Sequence, residues 1–595
     1  MSHNTVLSTY FINKDKLKEL LRKIITRARV NLNPLSALIL LNIVEYQKST
    51  LDFLIAVIEE LGKQYDIIQP EVLLSKLSNR ITEVGIKEQE RELGTKIEES
   101  VGKSKYEKID FSSRTLYDYF STSKKIQVKE TRITEEMEQK YEKTKVSKME
   151  ESIALGNYDK LKVDVKVKDL HAETVVKKKR DTALNFEIIR MPKKILIEDS
   201  IETFRNYFID RYLRIRKILL KKGLENVISS RSLRLAKKGD YIIIMVRNKI
   251  SSKSGYGIII GEDLEGEAKI LVPSNGVLAK KFKHVLLDSV IAVKISKVSS
   301  DYLIADDILF PDIPRIRERH RAHENIKIAF IADIHVGSKK FLKKEFENFI
   351  NFMNGKIGNK RLRELAENID GIIINGDLVD GVGIYPDQQA ELEIVDIYKQ
   401  YELLAEYLSK IPEDKLIIVV PGNHDAAGKF VPQPPIPKDV ASELYKLSNI
   451  KVLGNPALIG IDNVKIMLYH GYGLENIAAY LGIGIDKPTK VLIEVMRTRH
   501  LLPEWGKIPV VPTIPDYLVI EEVPDILVVS HLHIADIRIT GGGVLLLSTG
   551  AFQDLTSWQK QLGITPTPGI VPIVDLKTYE ISLIECNRSG CRILH

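Results

Sequence analysis

The stretch Ile326-Lys327-Ile328-Ala329-Phe330-Ile331-Ala332-Asp333-Ile334-His335 decides the fold of this chain. A nearly continuous apolar run of this length suits a strand covered on both faces, and it ends abruptly in Asp and His. The pattern recurs downstream. Gly371-Ile372-Ile373-Ile374 runs into Asn375-Gly376-Asp377, and Leu416-Ile417-Ile418-Val419-Val420 into Pro421-Gly422-Asn423-His424-Asp425. Ile466-Met467-Leu468 ends in Tyr469-His470-Gly471, and Ile526-Leu527-Val528-Val529 in Ser530-His531-Leu532-His533. Segments with helical spacing, at 346–352, 362–365 and 394–408, lie between the first three strands. Strands alternating with helices predict an α/β domain, whose ligands gather at the carboxyl ends of the strands.

One His at a strand end is commonly a satisfied structural residue. Five consecutive strands ending in Asp, Asn and His are a different matter. Two divalent ions held close together need a bridging ligand and two separate sets of outer ligands. Asp377 is the natural bridge, because a carboxylate has two oxygens. Asp333, His335 and His533 complete one set; Asn423, His470 and His531 complete the other. A mixed nitrogen and oxygen set without thiolate suits Mn²⁺, Fe or Zn²⁺ better than Ca²⁺. Such a pair of ions would act on a phosphorus centre. His424, beside Asn423, is then the candidate to stabilise or protonate the leaving oxygen. Asp425 is the candidate to orient the His424 ring.

Upstream, residues 190–318 change character. A helical piece at 201–220 precedes short strand-like runs at 241–246, 256–260, 268–272 and 290–295, separated by turn residues. This predicts a small β-barrel, and an OB-fold suits its size. Gly255, Gly257 and Gly261 lack the following helix of a phosphate loop and read as barrel bends or bulges. Arg247 and Lys249 in the barrel are candidate DNA contacts, as are Arg497 and Arg499 in an insertion at about 471–525; a surface insertion without a special role accounts for that segment equally well. Residues 82–189 are rich in charge of both signs and short of apolar periodicity, which predicts a poorly ordered charged linker. Its Lys177-Lys178-Lys179-Arg180 cluster reads first as a solvated face. Residues 1–81 carry apolar positions at helical spacing and predict a small helical domain, a docking module or a plain subdomain.

The chain has 595 residues, too many for one core. Lys plus Arg (88) exceed Asp plus Glu (80) by 88 − 80 = 8, a balance that permits nucleic acid as a partner without demanding it. The two cysteines, Cys586 and Cys591, exclude a disulfide-built scaffold and a four-cysteine zinc site; they close a short loop and are expected as free thiols first, with a disulfide as the alternative in a hyperthermophilic host. The most apolar stretch, 35–44, is about half the length of a membrane-spanning helix. With no export signal, a cytoplasmic location without membrane contact is expected.

The series Asp333-Ile334-His335, Gly376-Asp377, Gly422-Asn423-His424-Asp425, His470-Gly471 and His531-Leu532-His533 resembles that of the calcineurin-like metallophosphoesterases, over about 320–560. Ser530 departs from it, since the family usually has Gly before the paired histidines. The order of domains, with the stretches 377–386 and 558–572, is similar to that of the small subunits of archaeal family-D DNA polymerases. The resemblance implies a multidomain α+β chain: helical domain, charged linker, OB-fold barrel, and an α/β phosphoesterase domain at 319–595 built as a two-sheet sandwich flanked by helices. It further implies a 3′→5′ proofreading exodeoxyribonuclease that hydrolyses phosphodiester bonds with two divalent ions, Mn²⁺ first. Its partners would be a large catalytic polymerase subunit and the single-stranded primer 3′ end. A stand-alone double-strand-break-repair-type nuclease and a non-catalytic polymerase scaffold are the competing expectations. The first usually begins with its phosphoesterase module, and the second loses metal ligands that are all present here.

Overall fold

The computed structural model describes residues 184–195, 200–251, 256–274, 276–299, 302–561 and 563–594, with two short stretches at 31–32 and 67–68. The expected helical domain and the charged linker up to residue 183, including the basic cluster 177–180, lie outside the described residues. Only Asn31–Leu32 and Ile67–Ile68 are seen there, paired as short parallel strands.

Strand β1 (Phe186–Arg190) corrects the expected boundaries. Residues 186–189 are assigned to the linker by composition and Arg190 to the barrel. Instead β1 adds antiparallel to a strand of the C-terminal domain, through Phe186 opposite Ile461 and Ile188 opposite Ile459. Pairing with a distant strand gives this segment an order that its own composition does not signal.

Helix α1 (Ile201–Leu220) starts at Ser200, whose hydroxyl accepts from Thr203 N at 3.0 Å. Its Tyr212, Ile215 and Leu219 pack against Ile243, Met245, Val290 and Ala292 of a barrel. The barrel strands are β2 (Tyr241–Ser251), β3 (Gly257–Glu262), β4 (Glu267–Val272), β5 (Val290–Val298) and β6 (Leu303–Leu309). They run in the order β2-β3-β4-β6-β5, and β5 closes onto β2. Helix α2 (Gly276–Lys283) follows β4 and plugs the barrel core with Phe282. β6 is not read in the sequence, because Asp306 and Asp307 interrupt its apolar run. Gly255 lies outside the described residues; Gly257 and Gly261 lie inside β3, Gly257 opposite Ser251 and Gly261 opposite Val246 beside a bulge in β2 between Val246 and Asn248. They are barrel residues, as expected.

The C-terminal domain is a two-sheet sandwich with helices outside. The first sheet contains β7 (Lys327–Ile331), β8 (Ile369–Asn375), β9 (Leu416–Val420) and β10 (Ile450–Val452), all parallel. The second contains β11 (Ala457–Ile461), β12 (Val464–Leu468), β13 (Ile526–Val529), β14 (Asp536–Ile539) and β15 (Leu545–Ser548), with β12, β13 and β15 parallel. Strands β16 (Ile570–Asp575), β17 (Ile581–Asn587) and β18 (Gly590–Ile593) extend the first sheet antiparallel from β7. Alternate residues go to opposite layers. Ile328, Phe330, Ile373 and Ile418 meet Ile459, Ile466 and Val528 between the sheets. Ala329, Ile331, Ile372 and Ile417 face α3 (Lys343–Met353), α4 (Lys360–Glu367) and α5 (Ile397–Leu408). Burial on both faces explains why these strands read as unbroken apolar runs.

The insertion 471–525 carries α6 (Leu474–Leu481) and α7 (Pro488–Thr498), which cover the outer face of the second sheet through Ile477, Val491, Leu492 and Val495 against Leu527, Val529 and Leu546. It also grips α1. The Arg211 guanidinium is buried and donates to Asp516 Oδ2 at 2.9 Å, Pro503 O at 2.7 Å and Tyr207 OH at 2.6 Å. The insertion is therefore a structural clamp between domains.

Cys586 and Cys591 stand opposite each other in the β17–β18 hairpin and form a disulfide. The expectation of free thiols is wrong, because cross-strand register places the two side chains within bonding reach. No helix among the described residues is long and apolar enough to cross a membrane.

Candidate metal centre

Strands β7, β8, β9, β12 and β13 end at one edge of the sandwich and deliver all seven expected ligands there. His335 Nε2 lies 3.3 Å from His533 Nε2 and 3.7 Å from Asp377 Oδ2. His533 Nε2 lies 3.6 Å from Asp333 Oδ1. On the other side, His470 Nε2 is 3.2 Å from Asp377 Oδ2 and 3.1 Å from Asn423 Oδ1. Asp333, His335 and His533 form one group of converging donor atoms; Asp377, His470 and His531 form a second. Asp377 lies between the two groups, its other oxygen accepting from His424 N at 2.9 Å.

The backbone is bent to reach this arrangement. Asp333, His335, Asp377, His531 and His533 have φ of 50°, 53°, 49°, 68° and 58°. Residues with a side chain rarely adopt this left-handed region, and such strain collects at functional sites. Gly376 (φ 96°) and Gly422 provide the clearance. A Cβ on Gly376 would sit 2.2 Å from His470 Nδ1, and one on Gly422 would sit 2.1 Å from Asp377 Oδ1.

Groups behind the ligands fix their tautomers. The Asp380 carboxylate accepts from His335 Nδ1 at 3.0 Å, and is itself held by Gln388 Nε2 and Gln553 Nε2, both at 3.0 Å. His470 Nδ1 lies 3.0 Å from the Asn375 carbonyl. Both rings therefore turn a lone pair at Nε2 toward the centre. For His470 that lone pair faces two further acceptors, Asp377 Oδ2 and Asn423 Oδ1. Asp333 Oδ1 is buried and has no hydrogen-bond partner. Acceptors converging on each other in a dry site require a cation or a proton between them, and the donor set fits divalent ions. The titration behaviour agrees. Burial raises the Asp333 carboxyl to about 7, against the pull of His470. Burial opposes charge on His470 too, but Asp377 lifts it to about 9.

His424 and Asp425 separate. His424 Nδ1 donates to the Asp380 carbonyl at 2.8 Å, and its ring stands edge-on to His335 at 4.7 Å. Asp425 does not orient it. Its carboxylate accepts from Gly422 N at 2.8 Å, Leu378 N at 3.2 Å and Tyr401 OH at 3.0 Å. It points into the fold beneath the β9 turn, so its role is to shape that turn. Sequence reasoning missed Asp380, although it lies three residues after Asp377 in a stretch already singled out. It also missed Gln559, whose side-chain amide is 2.8 Å from His533 Nδ1, and Glu475, 3.5 Å from His531 Nε2. Ser530 is more than a tolerated departure. It is buried and donates to Asn375 O at 2.5 Å, while Asn375 Nδ2 donates back to it at 3.0 Å.

Residues 328–535 match the family of B subunits of DNA polymerases alpha and epsilon. The DNA polymerase II small subunit of Methanothermobacter thermautotrophicus is 36% identical over 383 residues, covering 63% of this chain and 78% of that protein. The chain belongs to the archaeal DNA polymerase II small-subunit family. The small subunits of Pyrococcus furiosus and Methanocaldococcus jannaschii are 36% and 38% identical, over 64% and 63% of this chain. The matched regions span 63% and 64% of those two small subunits' own lengths.

In this family member the four basic residues expected on DNA are engaged elsewhere. Arg499 is buried and donates to Ile520 O at 2.7 Å, Glu521 O at 2.6 Å and Asp312 O at 3.2 Å. Arg497 pairs with Glu494 at 2.6 Å and lies over the Phe310 ring. Neither is placed to meet a phosphate, because the insertion that carries them is packed against the barrel. Lys249 Nζ donates to Lys283 O and Val285 O, between the Phe282 and Tyr480 rings, and burial lowers its pKa to about 8. Arg247 pairs with Glu267 on the barrel surface at 2.8 Å.

Proposed function

We propose that this small subunit is a 3′→5′ exodeoxyribonuclease, the proofreading component of a two-subunit archaeal DNA polymerase. The observation that carries the reading is the complete, preorganised set of seven ligand side chains arranged as two groups about Asp377. Divalent ions in these groups, Mn²⁺ first, would supply Lewis acidity to a phosphodiester and acidify a water molecule. Asp333, His335 and His533 would hold one ion, Asn423, His470 and His531 the other, and Asp377 would serve both.

The residues of this chain perform the remaining steps. Asn423, His424 and His531 are half-buried whereas the other ligands are buried, so substrate arrives on their side. The Asp380 carbonyl fixes the His424 ring through Nδ1, which leaves Nε2 to meet a substrate oxygen. In its protonated form His424 gives that proton to the leaving 3′ oxygen. The closed five-stranded barrel is read as an OB-fold that guides a single strand toward this edge.

The large polymerase subunit is the proposed partner. The test is purification of the native protein from its source. A stable complex with a large polymerase subunit that releases nucleotides from 3′ ends with Mn²⁺ is the expected result. A free chain with full nuclease activity favours the stand-alone repair reading. A complex without hydrolysis favours the scaffold.

A further inference from the structure

The loop 380–388 places apolar side chains in solvent beside the metal centre, and the hydrolytic steps leave them without a role. Val382 is 45% exposed and Tyr385 38%. The Tyr385 ring centroid lies 6.2 Å from that of His424, at an interplanar angle of 62°. The loop is held firmly. Gly381 N donates to Gln400 Oε1 at 2.9 Å, and Ile384 N to Gln388 Oε1 at 2.8 Å. Lys429 Nζ donates to Gly383 O at 2.6 Å and to Ile384 O as well. The Tyr385 hydroxyl donates to Glu391 Oε2 at 2.9 Å, which sets the ring from its outer end. A rigid aromatic face is thus presented next to the imidazole that meets the leaving oxygen.

Metal ligands recognise a phosphate but not what it carries. The leaving 3′ oxygen belongs to the penultimate nucleotide, whose base lies across one sugar from it, as Tyr385 lies just beyond His424. Every base has a π-face, so stacking on an aromatic ring is tolerant of sequence. That tolerance is what an enzyme removing any terminal nucleotide requires. We infer that Tyr385 is the stacking platform for the base of the penultimate nucleotide, whose sugar carries the leaving oxygen, making the site selective for a 3′ end with a base at that position over one with a bare sugar there. The inference rests on the nuclease reading and adds a specificity-determining residue to it.

The test measures binding by the full chain to oligonucleotides whose penultimate 3′ position holds 2-aminopurine or an abasic sugar, with Ca²⁺ in place of Mn²⁺. Wild type is expected to favour the base-bearing end about tenfold and to quench its fluorescence. Tyr385→Ala and Tyr385→Leu are expected to bring that ratio near one, while Tyr385→Phe keeps it. A wild type without preference, or a ratio that Tyr385→Ala leaves in place, overturns the inference. Equal weakening of both ends also overturns it, since that marks a role in loop structure or in contact with a protein partner. Nucleotide release with Mn²⁺ is scored separately. Base preference without release contradicts the nuclease reading and leaves the platform standing; release without base preference does the reverse.

Discussion

The carboxylate of Asp380 lies 3.0 Å from Nδ1 of His335, and the carbonyl of the same residue accepts from His424 at 2.8 Å. One residue thus aligns a proposed metal ligand and the proposed acid. Asp380→Asn keeps the shape but loses the charge that fixes the His335 tautomer. Loss of such a supporting group costs roughly 10–100-fold in metal affinity. Calorimetric titration with Mn²⁺ is expected to show that weakening in one of two binding events, with thermal stability little changed. Two unaltered binding events would remove Asp380 from the centre.

Arg211 and Asp516 form a buried ion pair between α1 and the insertion, with both side chains nearly inaccessible. Removing one member of such a pair leaves a charge without its partner and costs about 3–5 kcal/mol. Urea denaturation of Arg211→Met is expected to show a loss of that order. A loss below about 1 kcal/mol is the size of an exposed pair and would contradict the clamp.

His500 gives the pH dependence of the same clamp. Its Nε2 donates to Asp516 at 2.9 Å and its Nδ1 accepts from Leu502 N at 3.1 Å, the pattern of a neutral ring. Burial, then Arg211, depresses its pKa to about 4. The unfolded chain takes up this proton near pH 6.5 and the folded chain does not, so this contribution is intact above 6.5 and is lost as pH falls toward 4. The loss is about 3 kcal/mol across that window. Asp516 is depressed further still, so its own contribution fades only below the ordinary carboxylate range. Melting temperature followed from about pH 7 to about pH 4 is expected to fall, and to fall less steeply in His500→Gln. Parallel curves would contradict the assignment.

The strands, their order along the chain and the seven side chains that converge at one edge were legible in the sequence because burial on both faces leaves unbroken apolar runs, and because these side chains sit directly at strand ends. The barrel was legible for the same reason, apart from β6, where Asp306 and Asp307 break the run. What pairing decides was not legible. β1 gains its place from Ile459 and Ile461, more than two hundred residues away, and the disulfide depends on hairpin register. Local sequence also misleads about charge. Arg497 and Arg499 look like a phosphate-binding pair, yet tertiary packing commits them to Glu494 and to backbone carbonyls. Asp425 follows His424 directly, but the turn aims the two side chains apart.

The most direct test is release of 3′-terminal nucleotides from end-labelled DNA by wild type, Asp377→Asn and His424→Ala, with Mn²⁺ and after chelation. Wild type is expected to release nucleotides only with the divalent ion, faster from single-stranded or mismatched ends. Each substitution is expected to lower the rate at least about a hundredfold, the usual size of a lost acid or a lost bridging ligand. Hydrolysis that persists in both variants, or that is indifferent to chelation, would contradict the account.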